Sequence, residues 1–356
     1  MKALVWHGAG DLRIEEREPP VPGPTDAIIE VAYCGICGTD IHEYVHGPVL
    51  IRRDAHPLTG ESAPITLGHE FSGRISSLGT EVEGFTVCQR VTVDPCWRCG
   101  ECYWCRRGEY HICKSGGAVG LASHGGLASL VRVPSEGLVP IPDHIDYRVA
   151  ALTEPLAVGF HAVHRGRVTA GDSVLVIGSG PVGVAVVIAS VAAGASPVLV
   201  SEPSMPRRAI AQELGADETF DPTAVDVRRE AYLRTGRIGP DVVFECTGSP
   251  GAASDAVESA RRGGRIVLVG IGTEKLEYES RRLVFLEREL IGSLGYQGDL
   301  QRVVEHLSAH TFDPSKLITS IVPLEEAIEG AFDRLCSIEN EEMKVLVRVG
   351  GDLPVL

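Results

Sequence analysis

The chain has 356 residues and a formal net charge of −15 at pH 7. At roughly 100–200 residues per domain, this length predicts two or three domains. Hydrophobic residues make up 44% of the chain and charged residues 23%, a composition that indicates a globular protein and excludes the disordered class. Because nucleic acids and anionic membrane surfaces require a basic protein surface, neither is an expected partner.

Cysteine is the most informative residue type in the composition. There are ten cysteines, and five of them lie between Cys96 and Cys113. The chain begins MKALVWHGAG, without an apolar run of signal-peptide length before the charged stretch 11–18. We therefore expect a cytoplasmic protein with reduced thiols rather than a secreted disulfide scaffold. Clustered cysteines in a reducing compartment are typical of a metal site.

The first 150 residues predict a β-rich part with many turns, with strands such as 27–31, 73–77 and 90–93. Farther along, short apolar runs alternate with helical stretches, which predicts parallel βαβ units with helices on both faces of one sheet. The predicted strands of this part are 173–177, 198–201, 218–220, 241–245, 265–269 and 289–293. The predicted helices between them are 182–193, 205–214, 252–260 and 281–287. Six such strands make a complete doubly wound dinucleotide-binding domain.

The uncharged run 173–201 exceeds the roughly 18 apolar residues that indicate a membrane span. Glycines and prolines at 178–183, and again at 194 and 197, break it into strand, turn, helix, turn and strand, so a transmembrane segment is not expected. After residue 294, the sequence predicts helices over 300–309 and 324–335 and a strand over 344–349. This tail is too small to fold alone, and we expect it to return to the β-rich first part.

A glycine-rich segment marks the dinucleotide site. Gly178-Ser179-Gly180-Pro181-Val182-Gly183 is a GxGxxG sequence that follows a predicted strand directly and opens a predicted helix. In that context the glycines allow a tight turn, close approach of the backbone to a pyrophosphate, and close packing of helix on strand. The free N–H groups at the helix N-terminus suit the phosphates. The alternative is a glycine-rich turn that binds nothing.

An acidic residue indicates which dinucleotide is bound. Glu202 follows the second predicted strand, where a carboxylate can accept hydrogen bonds from ribose hydroxyls and repel a 2′-phosphate. This predicts NAD rather than NADP. Arg207 is included in the predicted cofactor site. The positive charges of Arg207 and Arg208 would still allow the 2′-phosphate of NADP to bind.

The cysteine cluster predicts a structural metal site. Cys99, Cys102, Cys105 and Cys113 provide four thiolates close enough in sequence to surround one tetrahedral Zn²⁺. An iron–sulfur cluster is the competing interpretation. Cys96 has the same spacing to Cys99, so the spacing alone also allows a register shifted by one cysteine. A site with four thiolates has no open position for substrate, and we expect it to fold a lobe at about 94–115.

Two further segments carry residues that bind metals. Cys37 lies in Gly35-Ile36-Cys37-Gly38-Thr39-Asp40-Ile41-His42, and His69 and Glu70 follow Gly68. One thiolate, one imidazole and a carboxylate would leave zinc an open position, as a catalytic site requires. Taken singly, a buried inert cysteine and a hydrogen-bonded His–Glu pair are the ordinary interpretations. Because they occur in the same chain as a dinucleotide fold and a second metal site, the interpretation as a catalytic zinc site is favoured.

Over essentially its whole length, the sequence resembles the zinc-dependent medium-chain alcohol and polyol dehydrogenases. The resemblance rests on the segment 37–42, Gly68-His69-Glu70, the Cys99–Cys113 lobe, Thr153-Glu154-Pro155 and the GxGxxG element. Within that family, 56–70 and, more weakly, 292–296 resemble 2,3-butanediol dehydrogenases. The resemblance implies a GroES-like catalytic domain over 1–155, an NAD-binding Rossmann domain over 156–294, and a return of 295–356 to complete the catalytic domain.

The resemblance also implies the roles of individual residues. Cys37, His69 and Glu154 would bind the catalytic zinc, with Glu70 beside the metal as a neighbour or as an alternate ligand during turnover. The lobe zinc would be held by Cys99, Cys102, Cys105 and Cys113, which leaves Cys96 idle. Thr39 and His42 would carry the proton of the substrate hydroxyl to water.

The predicted function is therefore zinc-dependent hydride transfer between NAD and a small vicinal diol or its α-hydroxyketone, with 2,3-butanediol and acetoin as the preferred pair. The alternatives are sorbitol or another polyol, L-threonine, and a zinc and nucleotide-binding protein without turnover. The resemblance implies a homodimer or homotetramer.

His161 and His164 are expected to be packing or surface residues. Small buried thiols are expected at the positions without a metal role: Cys34, Cys88, Cys246 and Cys336.

Overall fold

In the computed structural model, which describes residues 1–272, 274–337 and 340–350, the chain divides into two units. Unit 1 contains Met1–Glu154, Leu300–Ala309 and the chain from Ile318 onward. Unit 2 contains Pro155–Asp299 and His310–Leu317.

Eighteen strands and ten α-helices lie in the described residues. The strands are β1 (Lys2–Gly8), β2 (Asp11–Glu16), β3 (Asp26–Gly35), β4 (Ile65–Thr66), β5 (Glu70–Leu78), β6 (Arg90–Val93), β7 (Cys96–Trp97), β8 (Gly117–Ala118), β9 (Leu130–Pro134), β10 (Leu138–Pro140), β11 (Val174–Ile177), β12 (Val198–Ser201), β13 (Glu218–Phe220), β14 (Val242–Glu245), β15 (Arg265–Leu268), β16 (Glu289–Gly292), β17 (Ile318–Pro323) and β18 (Lys344–Arg348). The helices are α1 (Gly38–His46), α2 (Tyr147–Ala150), α3 (Thr153–Arg165), α4 (Pro181–Ala192), α5 (Met205–Glu213), α6 (Val227–Arg234), α7 (Pro250–Ser259), α8 (Ser280–Val284), α9 (Asp299–Ser308) and α10 (Asp333–Leu335).

Unit 1 is built on a mixed sheet in which the strand order is β10-β6-β5-β3-β18-β17, with β9 also paired to β3. Strand β18, from the end of the chain, is antiparallel to β3 and places Leu346 opposite Gly35. On the other side of β3, Gly35 lies opposite Glu70 of β5. Large apolar side chains such as Trp6, Ile29 and Phe71 fill the core of this unit. The sheet therefore brings three distant chain segments side by side at the end of β3.

Unit 2 contains one six-stranded parallel sheet in the order β13-β12-β11-β14-β15-β16. Each of the six predicted strands is present within one residue at either end, and the predicted doubly wound fold is confirmed. All four residues of the central strand β11 are buried, as expected for a strand covered by helices on both faces. The carboxyl ends of β11, β12 and β14 meet at one edge of the sheet, where such folds bind nucleotides.

The predicted helical stretch over 324–335 is present, but it is not a regular α-helix. The structure has a 3₁₀ turn at Leu324–Glu326, a wide π turn at Ile328–Phe332, and only one short α-helical turn at the end, α10. Gly330 weakens the helix at this point, and the wider turn lets the adjacent residues Ala331 and Phe332 both lie in the core. Apolar spacing alone did not reveal this irregularity.

Helix α4 contains the most apolar part of the run that could be mistaken for a membrane span. It has 12 residues, which at 1.5 Å per residue cover about 18 Å. In the described part of the chain, no helix is both long and apolar enough to cross a membrane.

Candidate active site and metal centres

The four cysteines of the lobe come together as a tetrahedral site requires. Their sulfur atoms all lie within 4.8 Å of one another. The Sγ atoms of Cys99 and Cys113 are 3.5 Å apart, those of Cys102 and Cys113 3.9 Å, and those of Cys99 and Cys105 4.0 Å. A zinc–sulfur distance of about 2.3 Å in a tetrahedron corresponds to a sulfur–sulfur distance of about 3.8 Å. The donor set therefore fits Zn²⁺.

Backbone amides surround these sulfurs as well. The N–H of Cys102 donates to Cys99 Sγ at 3.3 Å, and the N–H of Cys105 donates to Cys102 Sγ at 3.5 Å. The hydrogen bond from Cys105 lowers the pKa of the Cys102 thiol to about 6. Cys96 lies on β7 outside this group of four, and burial together with Asp94 raises the pKa of its thiol well above the usual value.

A second group of metal-binding side chains lies in unit 1, and it contains Cys37, His69 and Glu70, with one ligand atom of each within 4.8 Å of the others. Cys37 is the residue before α1, and Asp40 in the first turn of that helix accepts a hydrogen bond from the Cys37 N–H at 2.9 Å. The Cys37 sulfur thus lies at a helix N-terminus, at the positive end of the helix dipole.

The imidazole of His69 lies beside the carboxylate of Asp40. Within the described structure, Asp40 Oδ1 and His69 Nδ1 are buried without a hydrogen-bond partner, and they lie 3.6 Å apart. Burial lowers the pKa of the imidazole, but the Asp40 carboxylate and the Cys37 thiolate outweigh it and raise the pKa well above its usual value. This environment attracts positive charge, and a carboxylate behind a histidine is the usual support of a metal ligand. The residues present therefore fit a cation.

Glu70 is buried and its carboxylate is already paired. Lys344 Nζ lies 2.7 Å from Oε1 and 2.7 Å from Oε2. A Cβ added at Gly35 would collide with this carboxylate, so glycine is needed opposite Glu70. Neither Asp40 nor Lys344 was identified from the sequence. The acidic residue three positions after a possible helix cap was a usable signal for Asp40, whereas nothing near position 344 indicated a role for the lysine.

Glu154 is buried near the same group but is not one of the three residues whose ligand atoms lie within 4.8 Å of one another. It lies in the first turn of α3, and the preceding Thr153 is hydrogen bonded to Thr92 Oγ1 on β6 at 2.6 Å. Its charge contributes to the raised pKa of both His69 and Lys344. A second buried carboxylate therefore faces the metal-binding group, and its role as third ligand stays a prediction.

The predicted proton carriers lie along α1. Thr39 Oγ1 is 3.7 Å from Cys37 Sγ and is half-buried. His42 is exposed, and its ring centroid lies 6.3 Å from that of His46. The helix thus leads from a hydroxyl beside the metal-binding group to an imidazole in contact with water.

The glycine-rich loop of unit 2 has the form that a dinucleotide requires. Gly178 has φ of 88°, a left-handed conformation that favours glycine. A Cβ at Gly183 would collide with the Gly178 carbonyl, whereas a Cβ at Gly180 would meet open space. Pro181 is the first residue of α4 and Val182 the second. Gly178 thus allows the turn, Gly183 allows close packing of the helix, and Gly180 leaves space for a ligand to approach.

Glu202 has a second role that the sequence did not indicate. Its Oε2 accepts a hydrogen bond from the Ser179 N–H at 2.8 Å, and its Oε1 accepts one from the Ser204 N–H at 3.0 Å. Each oxygen retains capacity for one more hydrogen bond. Arg207 is half-buried in the first turn of α5, while the Arg208 guanidinium donates to the Glu202 carbonyl at 2.6 Å.

Glu245, at the end of β14, was missed. Its Oε1 accepts hydrogen bonds from the Thr247 N–H at 2.7 Å, the Thr247 hydroxyl at 2.5 Å and the Gly248 N–H at 2.9 Å. This holds the 246–248 loop against Gly178, whose missing Cβ leaves room for the Thr247 methyl group. A charged residue ending a buried apolar strand was the available signal.

The other predicted roles are mixed in outcome. His161 is buried with Nδ1 3.1 Å from Asp299 Oδ2, and His164 is exposed, so their prediction as packing and surface residues is confirmed. Cys34 is buried in the core as predicted. Cys88 and Cys336 are exposed, and the prediction that they are buried is wrong because both lie in turns.

Comparisons with known proteins agree with this geometry. Residues 23–143 match the alcohol dehydrogenase GroES-like domain, and residues 181–309 match the zinc-binding dehydrogenase domain. The chain is 39% identical to (R,R)-butanediol dehydrogenase of Bacillus subtilis over 98% of this chain and 99% of that protein. It is 35% identical to the enzyme of the same name from Neisseria gonorrhoeae over 99% and 100%, and 30% identical to sorbitol dehydrogenase of Bacillus subtilis over 98% and 97%.

Solved structures give the same result. The crystal structure of 2R,3R-butanediol dehydrogenase from Bacillus subtilis matches with a TM-score of 0.92 at 39% identity, over 98% of this chain and 99% of that one. A zinc-binding dehydrogenase from Sinorhizobium meliloti bound to NADP has a TM-score of 0.89 at 32% identity, with coverage of 98% for both chains. An Escherichia coli alcohol dehydrogenase complexed with NADH has a TM-score of 0.88 at 28% identity, over 98% and 99%. With its two metal-binding groups and its nicotinamide dinucleotide fold, the chain belongs to the zinc-dependent medium-chain dehydrogenases and is an oxidoreductase.

Proposed function

We propose that this enzyme interconverts 2,3-butanediol and acetoin, a small vicinal diol and its α-hydroxyketone, with NAD as the hydride acceptor or donor. The observation that carries the proposal is the convergence of Cys37, His69 and buried carboxylates in a chain that is similar to butanediol dehydrogenases over its whole length. In this proposal, 1–155 and 295–356 form the catalytic domain, and 156–294 form the NAD-binding domain.

Bound zinc would polarise the substrate hydroxyl, and bound NAD would take up the hydride. Cys37, His69 and Glu154 would hold this metal, and the neighbouring Asp40 carboxylate would orient the His69 ring. Thr39 Oγ1 would accept the proton of the substrate hydroxyl, and the exposed His42 would release it to water. The four lobe cysteines would hold a second zinc, giving two per chain.

We assign the third ligand to Glu154 rather than Glu70. Both oxygens of Glu70 are hydrogen bonded to the Lys344 ammonium, which neutralises the carboxylate and competes with a metal. Glu154 is buried, and its charge acts on His69. A ligand set of thiolate, imidazole and one carboxylate leaves an open position for the substrate.

Glu202 is expected to select NAD over NADP. In Glu202→Gln the amide oxygen can still accept the Ser179 N–H, while the negative charge that repels a 2′-phosphate is lost. A hydrogen bond to a charged group contributes about 1.5–3 kcal/mol, so we expect the ratio of kcat/KM for NAD to that for NADP to fall about tenfold or more. Steady-state kinetics with both cofactors measure this. Glu213→Gln, an exposed change on α5, should leave the ratio unchanged, and an unchanged ratio in Glu202→Gln would refute the assignment.

We also propose that the protein is a homo-oligomer of the cytoplasm. Strand β16 is the edge of the parallel sheet, and edge strands invite pairing with another chain. Large apolar side chains close to it in sequence are exposed, Phe285 by 74% and Val284 by 69%. All ten cysteines are free thiols, which supports a reducing compartment.

A single preparation tests the proposed function. Zinc content per chain, solution molar mass, and turnover of 2,3-butanediol, acetoin, sorbitol and L-threonine with NAD and NADP are measured together. We expect two zinc ions per chain, a multiple of the 38.0 kDa chain mass, and the highest kcat/KM for butanediol with NAD. Faster turnover of sorbitol or threonine than of butanediol would overturn the substrate assignment. One zinc per chain would overturn the two-site assignment.

A further inference from the structure

Lys344 is the only lysine or arginine that is buried in the part of the chain that the structure describes, with 3% of its surface exposed. All three of its N–H donors have acceptors: the Ile36 carbonyl at 3.0 Å and the two Glu70 oxygens, each at 2.7 Å. A buried ammonium is tolerated only when it is paired and hydrogen bonded in this way. Lys344 is therefore held in the interior of unit 1 by three hydrogen bonds.

The sheet explains how a residue near the end of the chain reaches this position. Strand β18 lies beside β3, and the Ile36 N–H donates to the Val345 carbonyl at 3.1 Å, just beyond the end of β3. The Lys344 side chain then contacts the Ile36 carbonyl and continues to Glu70 on β5. One ammonium thus joins β18 to both neighbouring segments.

The two residues that Lys344 contacts are each adjacent in sequence to a metal-binding residue. Ile36 precedes Cys37, and Glu70 follows His69. The Lys344 ammonium therefore links the segment that carries the thiolate to the segment that carries the imidazole. It also occupies both oxygens of Glu70, whose ligand atom lies within 4.8 Å of those of Cys37 and His69.

We propose that Lys344 is a positioning residue of the catalytic metal site: it holds the Cys37 and His69 segments at metal-binding distance and prevents the Glu70 carboxylate from taking the place of substrate or of Glu154. This inference rests on the proposed metal site. Without the ammonium, Glu70 would be a buried carboxylate without a counterion in the metal-binding group, and it would be available as an additional metal ligand.

The test uses the full-length protein loaded with zinc, and separately with Co²⁺ at the catalytic site, whose visible absorption reports the number and type of ligands. In Lys344→Met we expect an altered cobalt spectrum that indicates an additional oxygen ligand, and a rate of catalytic-zinc release to a chelator changed at least tenfold. The lobe zinc should be retained. Lys2→Met removes an exposed lysine of the same unit, paired with Glu325, and should match the wild type in every measurement.

Two further variants isolate the cause. In the double variant Lys344→Met/Glu70→Gln the competing carboxylate is absent, so the wild-type cobalt spectrum should return. If Lys344→Met does not fold, Lys344→Gln, which can keep the bond to Ile36 and one Glu70 oxygen, should show the same spectral change at smaller size. A wild-type spectrum and release rate in the folded lysine variant would overturn the proposal, and so would a double variant that keeps the altered spectrum. Wild-type protein that binds only the lobe metal would instead overturn the proposed function.

Discussion

Turnover should fall about a thousandfold when Cys37 is replaced by serine, while the fold remains. Loss of the thiolate removes a metal ligand and with it several kcal/mol of charge stabilisation, and each 1.4 kcal/mol corresponds to about a tenfold change in rate. Serine is a favourable residue before a helix and can accept the same backbone N–H at the start of α1, so the helix should persist. The measurements are kcat/KM, zinc content and the thermal unfolding midpoint.

Two controls make this result specific. Cys88→Ser changes an exposed cysteine in a turn and should leave activity and zinc content unchanged. In Cys37→Ser itself, the lobe zinc and NAD binding should both persist, because neither the four lobe cysteines nor the glycine-rich loop includes a residue of α1. Activity within tenfold of the wild type would show that Cys37 does not hold a catalytic metal.

The second large effect separates the two buried glutamates. Glu154→Gln should lower kcat/KM by more than about a hundredfold and weaken zinc binding, because an anionic ligand becomes a neutral one. Glu70→Gln should have a smaller effect of about 10–100-fold, the range found when a residue that supports a metal ligand is changed. Both changes preserve side-chain shape, and activity and zinc affinity are measured for each.

Glu83→Gln, an exposed glutamate of unit 1, provides the reference for a change without functional effect. If Glu70→Gln were the more damaging of the two buried changes, Glu70 rather than Glu154 would be the third ligand. Equal effects on zinc affinity would mean that both carboxylates bind the metal.

Sequence reasoning succeeded where the chemistry depends on nearby residues. In the lobe, two-residue gaps separate Cys99, Cys102 and Cys105, and their sulfurs lie within 4.8 Å of one another and of the sulfur of Cys113. The six strands of the parallel sheet were predicted closely because strands buried on both faces are continuous apolar runs. The glycine-rich loop was predicted because Gly178 and Gly183 each meet a steric requirement that few other residues satisfy.

Other features depend on contacts between residues that are distant in the chain. Cys88 and Cys336 are exposed. Whether a cysteine is buried depends on tertiary packing, and the apolar character of the side chain alone predicted that both are buried. Glu245 was not identified because its partners become visible only when the backbone of 247–248 turns back over its carboxylate. The π turn at Ile328–Phe332 lets the adjacent residues Ala331 and Phe332 both lie in the core, which apolar spacing alone did not predict.

The amino-acid sequence by itself therefore determined the four-cysteine lobe and the dinucleotide fold, since local spacing sets the geometry of each motif. The catalytic group and the class of chemistry were implied by the resemblance to the zinc-dependent dehydrogenases. Only the tertiary structure decided how the catalytic group is supported. Asp40 is directed at His69, and Lys344 reaches Glu70 across 274 residues of chain because β18 lies beside β3. Such pairings depend on sheet order, and sheet order is set by burial of the whole core rather than by any short segment.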